Sequence, residues 1–388
     1  MVWVLSGCQN RSVLVPATLA MQWPAESNSQ AIRDEADALL ERWAPIFAQE
    51  VSASHPERDR PMRVNFDGDW DARNNWRHLS KAHRQQDAIV YVSSVLTDTH
   101  AYLTYTLFYP RDWTPFLCVA YICHDNDLEV ALVVVKRGST PERAEVAYVE
   151  TKAHRSYVAL GASELARDDT GRPIIEVESG GHGMYPVRLG HAPEGAREYF
   201  EPGVRAHQSL ERGTSAHRQA YALESMHESL WARRSVAGRL WTNDESFLDY
   251  TGARFGRCGD PFGTLMASEH FAGGVRPPWG LKASVGNRGD WFLDPEYVAL
   301  RSHPKFFPQH SASTKYVLNP YLDDLARECV GPKCGAAFRV VRGSVPLGTA
   351  SGVLAAIGLL SLGAPRRVRS RVRQWFRCKF ARRIGGPK

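Results

Sequence analysis

The chain has 388 residues, 43% of them hydrophobic and 23% charged, enough for one large packed domain or two smaller ones and incompatible with wholesale disorder. Eleven Trp, fourteen Tyr and fifteen Phe beside 31 Gly and 23 Pro describe an aromatic, loop-rich globular body and exclude a coiled coil or a multi-spanning membrane protein. The net charge of +6 is local: Pro365 to Lys388 holds eight Arg, two Lys and no acid, which leaves the remainder at −4, so nucleic acid is not an expected partner.

At the start, Leu5-Ser6-Gly7-Cys8 resembles a bacterial lipobox, in which Cys8 would carry the lipid. Only seven residues precede it and none is basic, unlike a secretory signal. Residues 9–29 are rich in Ser, Gln, Pro and Ala and read as a tether, so 1–29 is taken as export signal and tether. A helix follows, with Ile32, Ala36, Leu39, Leu40, Trp43 and Phe47 on one face. The acidic turn Asp67-Gly68-Asp69-Trp70-Asp71 is not an EF-hand loop, because Ala72 stands where its Gly must be and His78 where its twelfth ligand must be.

From Ala88 the pattern turns to strands: Ile89–Leu96, Ala101–Tyr109, Leu128–Lys136, Ala144–Thr151 and Ile174–Glu178, rich in Val, Tyr, Thr and Ile and separated by turn residues. The fold class expected is mainly β, an antiparallel β-sandwich with peripheral helices and a C-terminal hydrophobic helix. Tyr221–Arg234 reads as a helix anchored by Tyr221, Leu223, Leu230 and Trp231. The expected domain is 30–240, and the Gly-, Pro- and aromatic-rich stretch 241–343 is expected to wrap it.

Residues 344–364 form a candidate transmembrane helix. Val345 to Ala364 is uncharged for 20 residues, about the length that spans a hydrocarbon core, and the arginines after it suit the cytoplasmic side. A buried or surface-lying hairpin helix is the alternative. In the basic tail 365–388, Val368, Val372, Trp375, Phe376 and Phe380 fall at helical spacing among the arginines, which suits either an anionic lipid surface or a solvated tail. Both ends suggest an extracytoplasmic, envelope-anchored protein. Seven Cys are present; Cys118 and Cys123, like Cys329 and Cys334, lie close enough to close small loops in an oxidising compartment, and no spacing suggests zinc.

The densest set of potential ligands is Asp112, His124, Asp125, Asp127 and Glu129, where one strand ends and the next begins. Asp127 and Glu129, two apart on a strand, share a face. Like charges at that separation repel unless a cation, a proton or an arginine neutralises them. With Asp112 and His124 they make an oxygen-dominated set suited to calcium or magnesium, and less to manganese. The alternative is a solvated acidic loop paired with Arg111. His100, His154 and His182 could converge on the cluster as ligand-facing groups or proton carriers. No nucleophile elbow, phosphate loop or His-Glu-x-x-His helix is present, so catalysis is not favoured.

The run Tyr105-Thr106-Leu107-Phe108-Tyr109-Pro110-Arg111-Asp112, with His124-Asp125-Asn126-Asp127-Leu128-Glu129, resembles the core of the necrosis- and ethylene-inducing-like proteins. Gly181-His182-Gly183 resembles that family's His-Gly turn and also the turn of a plant and fungal vacuolar-sorting-like family with its own His-x-x-Asp-Trp-Glu. The resemblance covers about 66–188, with Cys123, Asp125, Asn126 and Leu128 in place of the family's Gly, Arg, His and Trp. It implies an actinoporin-like secreted β-sandwich that binds a divalent cation and sphingolipid sugar headgroups and can damage membranes. The family's ligands would fall on Asp112, His124, Asp127 and Glu129. The expected function is therefore cation-dependent binding of a sugar or lipid headgroup. The competing expectations are a metal-dependent envelope hydrolase, with His154 or His182 as proton carrier, and a structural envelope protein stiffened by an ion.

Overall fold

A computed structural model describes residues 30–70, 75–82, 88–113, 124–153, 156–203 without 194 and 196, 217–233, and 290–328 without 294, 308–311 and 314. Helix α1 (Gln30–Trp43) leads into strand β1 (Ile46–Glu50), a 3-10 turn at Pro56–Asp59 and helix α2 (Asn75–Ala82). The long strands β2 (Ala88–Thr97), β3 (His100–Asp112) and β4 (His124–Lys136) follow, then β5 (Glu145–Ala153), β6 (Ser156–Gly161), β7 (Ile174–Val177), β8 (Met184–Pro186), β9 (Arg197–Pro202) and β10 (His217–Ser225). Short helices α3 (Asp290–Leu293), α4 (Pro295–Ser302) and α5 (Pro320–Glu328), strand β11 (Tyr316–Leu318) and 3-10 segments at Pro141–Arg143, Trp231–Arg233 and Pro304–Phe306 complete the described elements.

The strands form one eleven-stranded sheet in the order β6-β5-β4-β3-β2-β10-β9-β1-β7-β8, with β11 on β2. The far end turns back toward β5, where the Thr151 hydroxyl donates to the Met184 carbonyl at 2.7 Å. The architecture is mainly β, as the patterning predicts, but it is a single mixed, nearly closed sheet and not an antiparallel sandwich. Three of its pairings, β1 with β7, β2 with β10 and β9 with β10, are parallel. The expected helix Tyr221–Arg234 is the main error. Its first half is β10, wedged between β2 and β9, where the ladders on both sides override helical spacing. Leu230 and Trp231 are buried as expected, but from a turn and a 3-10 segment. Phe47, expected on the face of α1, instead belongs to β1.

Nearly every residue of β2 and β3 is buried, because both faces of the sheet are covered. That is why these strands read as continuous apolar runs with weak alternation. One cluster, with Leu103, Tyr105, Tyr109, Val133 and Val149, fills the inner face and receives Ala36, Leu39, Leu40 and Trp43 of α1. A second, with Tyr91, Tyr102, Phe108 and Tyr148, lies under Trp291, Phe292, Phe307 and Tyr321 on the other face. Arg137 clamps α1 to the β2–β3 turn, donating to both Glu35 oxygens at 2.7 and 2.6 Å and to the Thr97 carbonyl at 2.6 Å.

Between β4 and β5 the chain folds onto itself so closely that a Cβ on Gly138 would lie 2.6 Å from the Arg143 carbonyl. Backbone offers no flexible end to move aside. Gly138→Ala is expected to destabilise the fold by about 1–3 kcal/mol, read as a lower urea midpoint with an unchanged slope; an unshifted midpoint would mean that the turn yields freely.

Among the described residues no helix is long and apolar enough to cross a membrane. Val345–Ala364, the basic tail, Cys8 and the other cysteines lie outside the described residues.

Candidate functional site

The end of the β3–β4 ladder pairs Leu107 with Glu129, Tyr109 with Asp127, Arg111 with Asp125 and Asp112 with His124. Asp127 and Glu129 thus share the inner face with Tyr109, while Leu128 packs with the outer cluster. Strict alternation would place Asp112 and His124 on the opposite face. Asn126 interrupts it, adopting a left-handed conformation at φ 61° that Asn tolerates better than most residues. Its side chain is locked, the Asn75 amide donating to Asn126 Oδ1 at 2.7 Å.

His182 occupies the centre, fully buried and stacked flat on Tyr109, with ring centroids 3.7 Å apart. Its Nδ1 lies 2.9 Å from Asp127 Oδ2 and its Nε2 3.3 Å from Asp59 Oδ1. Burial opposes charge on the ring, but hydrogen bonds and charge from Asp127 and Asp59 outweigh it and push its pKa up to about 9. The ring is therefore an imidazolium at neutral pH, bridging two carboxylates. Its φ of 48° is strained for a residue with a side chain, and such strain persists only where the surroundings over-determine it.

Asp59 is fixed by a dense set of donors. Trp113 Nε1 (3.0 Å) and the Gly180 amide (2.8 Å) donate to Oδ1; the Ser179 hydroxyl (2.8 Å) and the Ser52 amide (2.7 Å) donate to Oδ2. Burial alone would raise its pKa, but His182 and the amides of Gly180 and Ser52 hold it below the usual carboxylate range. Local sequence aims it inward. In the 3-10 turn, Arg58 stacks beside Trp76 and Trp113, and Arg60 forks onto Glu198 at 3.0 and 2.6 Å, leaving Asp59 to face the interior. Tyr109 OH donates to Gln49 Oε1 at 2.7 Å, which steadies the ring under His182.

Glu129 is the odd member. Burial first, then the charge of Asp127, with a smaller push from Asp112, raises its pKa well above normal against the pull of Lys152 and His182. Its charged form is therefore disfavoured, and among the described residues its Oε2 is buried with no hydrogen-bond partner. The repulsion foreseen between neighbouring carboxylates is thus answered by the proton on His182 and by a raised proton affinity at Glu129.

Of the residues singled out in the sequence, Asp127, Glu129 and His182 come together and Asp112 lies within electrostatic reach. His124 and Asp125 take their places in the ladder, but their side chains, like all of His154, lie outside the described residues. His100 sits at the opposite end of the thirteen-residue β3. Burial first, then Lys136, lowers its pKa to about 4, so it is neutral and takes no part. Arg111 stacks its guanidinium over Trp76 at 4.3 Å. Sequence reasoning missed Asp59, Gln49, Trp113 and Ser179, which no local motif connects to the ladder. In the loop dismissed as an EF-hand, ligand atoms of Asp67, Asp69 and His78 lie within 4.8 Å of one another, with His78 Nδ1 paired to Asp67 at 2.6 Å.

No family model and no curated protein matches the chain. Among solved structures it is similar to NLPPya in complex with glucosamine, at 19% identity over 40% of this chain and 67% of that one, with a TM-score of 0.26. A mutant of NLPPya matches at 21% identity over 26% of this chain, TM-score 0.20, and the chain spans 45% of its length. Necrosis and ethylene inducing protein 2, from the causal agent of witches' broom disease of cocoa, matches at 15% identity over 40% of this chain and 69% of that one, TM-score 0.20. Similarities this slight assign no function to the chain, whose own residues must carry it.

Proposed function

We propose that the protein binds a divalent cation, calcium or magnesium, through Asp112, His124, Asp127 and Glu129, and uses it to hold a hydroxyl-rich sugar or lipid headgroup. In this proposal the protein acts outside the cytoplasm, anchored by a lipid on Cys8, by the apolar segment 344–364, or by both. The observation that carries the reading is Glu129: a buried carboxyl beside Asp127 whose ionisation both burial and that neighbour oppose, with one oxygen lacking any hydrogen-bond partner among the described residues. Such an atom is costly unless something binds it. A hard cation fits, because the donors are mostly carboxylate oxygens.

When bound, the ion would supply positive charge and coordination positions for hydroxyl oxygens. The chain's own groups do the positioning. His182 and Asp59 orient Asp127, Tyr109 and Gln49 brace His182, and Asn126 shapes the strand between the ligands. Both nitrogens of His182 face carboxylates, which leaves it poorly placed to carry protons in a hydrolase.

Calorimetry of the full chain with calcium and with magnesium tests this. Asp127→Asn is expected to weaken binding by about 100-fold and Glu129→Gln by about tenfold, each lost oxygen charge being worth roughly 1.5–3 kcal/mol. Heat from neither ion with the unaltered protein would sink the proposal.

A further inference from the structure

We infer that the chain carries a second ligand site, for a phosphate-like oxyanion, at the C-terminal end of α1, built from Arg42, Arg167, Arg172 and the indole N–H of Trp43. It lies apart from the carboxylate cluster and does not depend on it.

Two guanidinium groups flank one tight turn. Arg42 Nη1 donates to the Thr170 carbonyl at 2.8 Å, and Arg167 donates to the Gly171 carbonyl at 3.3 Å and the Ala162 carbonyl at 3.5 Å. Gly171 supplies the left-handed backbone of the turn, at φ 85°, and Arg42 Nη2 lies 3.5 Å from where a Cβ would stand, an ordinary contact. Arg172 comes next in the chain. Its charge reaches Tyr105 and Tyr221, whose hydroxyls donate to the carbonyls of Leu40 and Pro45 on either side of Arg42 and Trp43. The three cations therefore gather around two short stretches, 40–45 and 167–172.

All three are half-buried, and among the described residues none is ion-paired to a carboxylate. The nearby acids are already engaged: Asp168 accepts from the amides of Thr170 and Arg172 and from the Thr170 hydroxyl, and Glu201, whose charge also reaches Tyr221, pairs with Arg218. Burial first, and then the charge of Arg42, lowers the pKa of Arg167. Two further donors are left over. Arg172 Nε and Trp43 Nε1 are buried with no hydrogen-bond partner among the described residues, and Trp43 is only 5% exposed, with the Arg42 guanidinium 4.4 Å above its ring. The negative end of α1 explains one cation at Arg42. It does not explain three, nor the idle N–H groups. An oxyanion with several acceptor oxygens answers both, since guanidinium forks suit phosphate geometry.

The test is thermal unfolding and calorimetry of the full chain in sodium phosphate against sodium chloride at equal ionic strength. Phosphate is expected to raise the midpoint by about 2–4 °C, and Arg42→Gln and Arg167→Gln to lose at least about tenfold in phosphate affinity. Without phosphate, Arg167→Gln is expected to be no less stable than the parent, because a repelling charge has gone. No phosphate-specific shift in the parent, or one that survives both substitutions, would overturn the site. So would substitutions that only lower stability and leave the phosphate response intact, as expected of arginines that merely hold carbonyls. Co-sedimentation with phosphatidylcholine vesicles, with and without phosphatidate, identifies the source. Vesicle binding that Arg167→Gln reduces and free phosphate competes away assigns a lipid headgroup; phosphate binding without it assigns the free ion.

Discussion

His182→Gln is expected to destabilise the fold by about 3–5 kcal/mol, the usual consequence of removing one partner from a buried ion pair. The single charge of the imidazolium is shared between Asp127 and Asp59, and neither can be reached by water to replace it. The two carboxylates will not suffer equally. Asp59 keeps four other donors, so the loss falls mainly on Asp127, which already sits beside Glu129. A double substitution, His182→Gln with Asp127→Asn, should therefore recover much of the loss. A coupling of about 1.5–3 kcal/mol between the two positions is expected in a denaturant double-mutant cycle. Glu129→Gln should behave differently in metal-free buffer, changing stability by less than about 1 kcal/mol, because it removes a group whose charge burial and Asp127 already oppose. If His182→Gln is as mild as Glu129→Gln, the buried bridge does not stabilise the protein.

The second large effect is with pH. In chelator, stability should fall between about pH 6.5 and pH 9. A histidine whose folded pKa stands at about 9, against about 6.5 when unfolded, holds its proton more tightly in the native state. Its contribution is complete below 6.5 and disappears as pH rises through 9. The difference corresponds to about 3 kcal/mol. Glu129 adds to the same downward trend from lower pH, since its raised pKa makes its contribution complete below the ordinary carboxylate range and lost as pH rises above it. Two groups work the other way in acid. His100 contributes above pH 6.5 and loses that contribution as pH falls through about 4, while Asp59, with a lowered pKa, loses its contribution below the ordinary carboxylate range. Stability should therefore peak near pH 6. Urea midpoints from pH 5 to pH 9 would measure it, and the alkaline limb should flatten in His182→Gln. An equally steep limb in that variant would assign the titration elsewhere.

These two results bear on the cation proposal from opposite sides. A divalent ion at Asp127 and Glu129 would favour the ionised form of Glu129, so loading should be coupled to proton release and move the alkaline limb upward. Buffers of different ionisation enthalpy would count the protons in calorimetry.

The sequence alone determined what depends on neighbours along the chain. The β-rich centre was legible because β2, β3 and β4 are unbroken runs of Val, Ile, Leu and Tyr, and a run buried on both faces needs no alternation to be recognised. That Asp127 and Glu129 share a face was legible too, since side-chain direction alternates along a strand. Only the tertiary structure decided the rest. β10 became a strand because β2 and β9 offered it hydrogen bonds on both sides, which its own residues could not reveal. Asp59 joined His182 across a sequence separation of more than 120 residues, through a 3-10 turn held by Arg60 on Glu198. Charge neutralisation was decided in the same way: spacing along β4 could announce that two carboxylates would repel, but only the folded chain, by bringing a buried imidazole between Asp127 and Asp59, could set where the compensating protons sit.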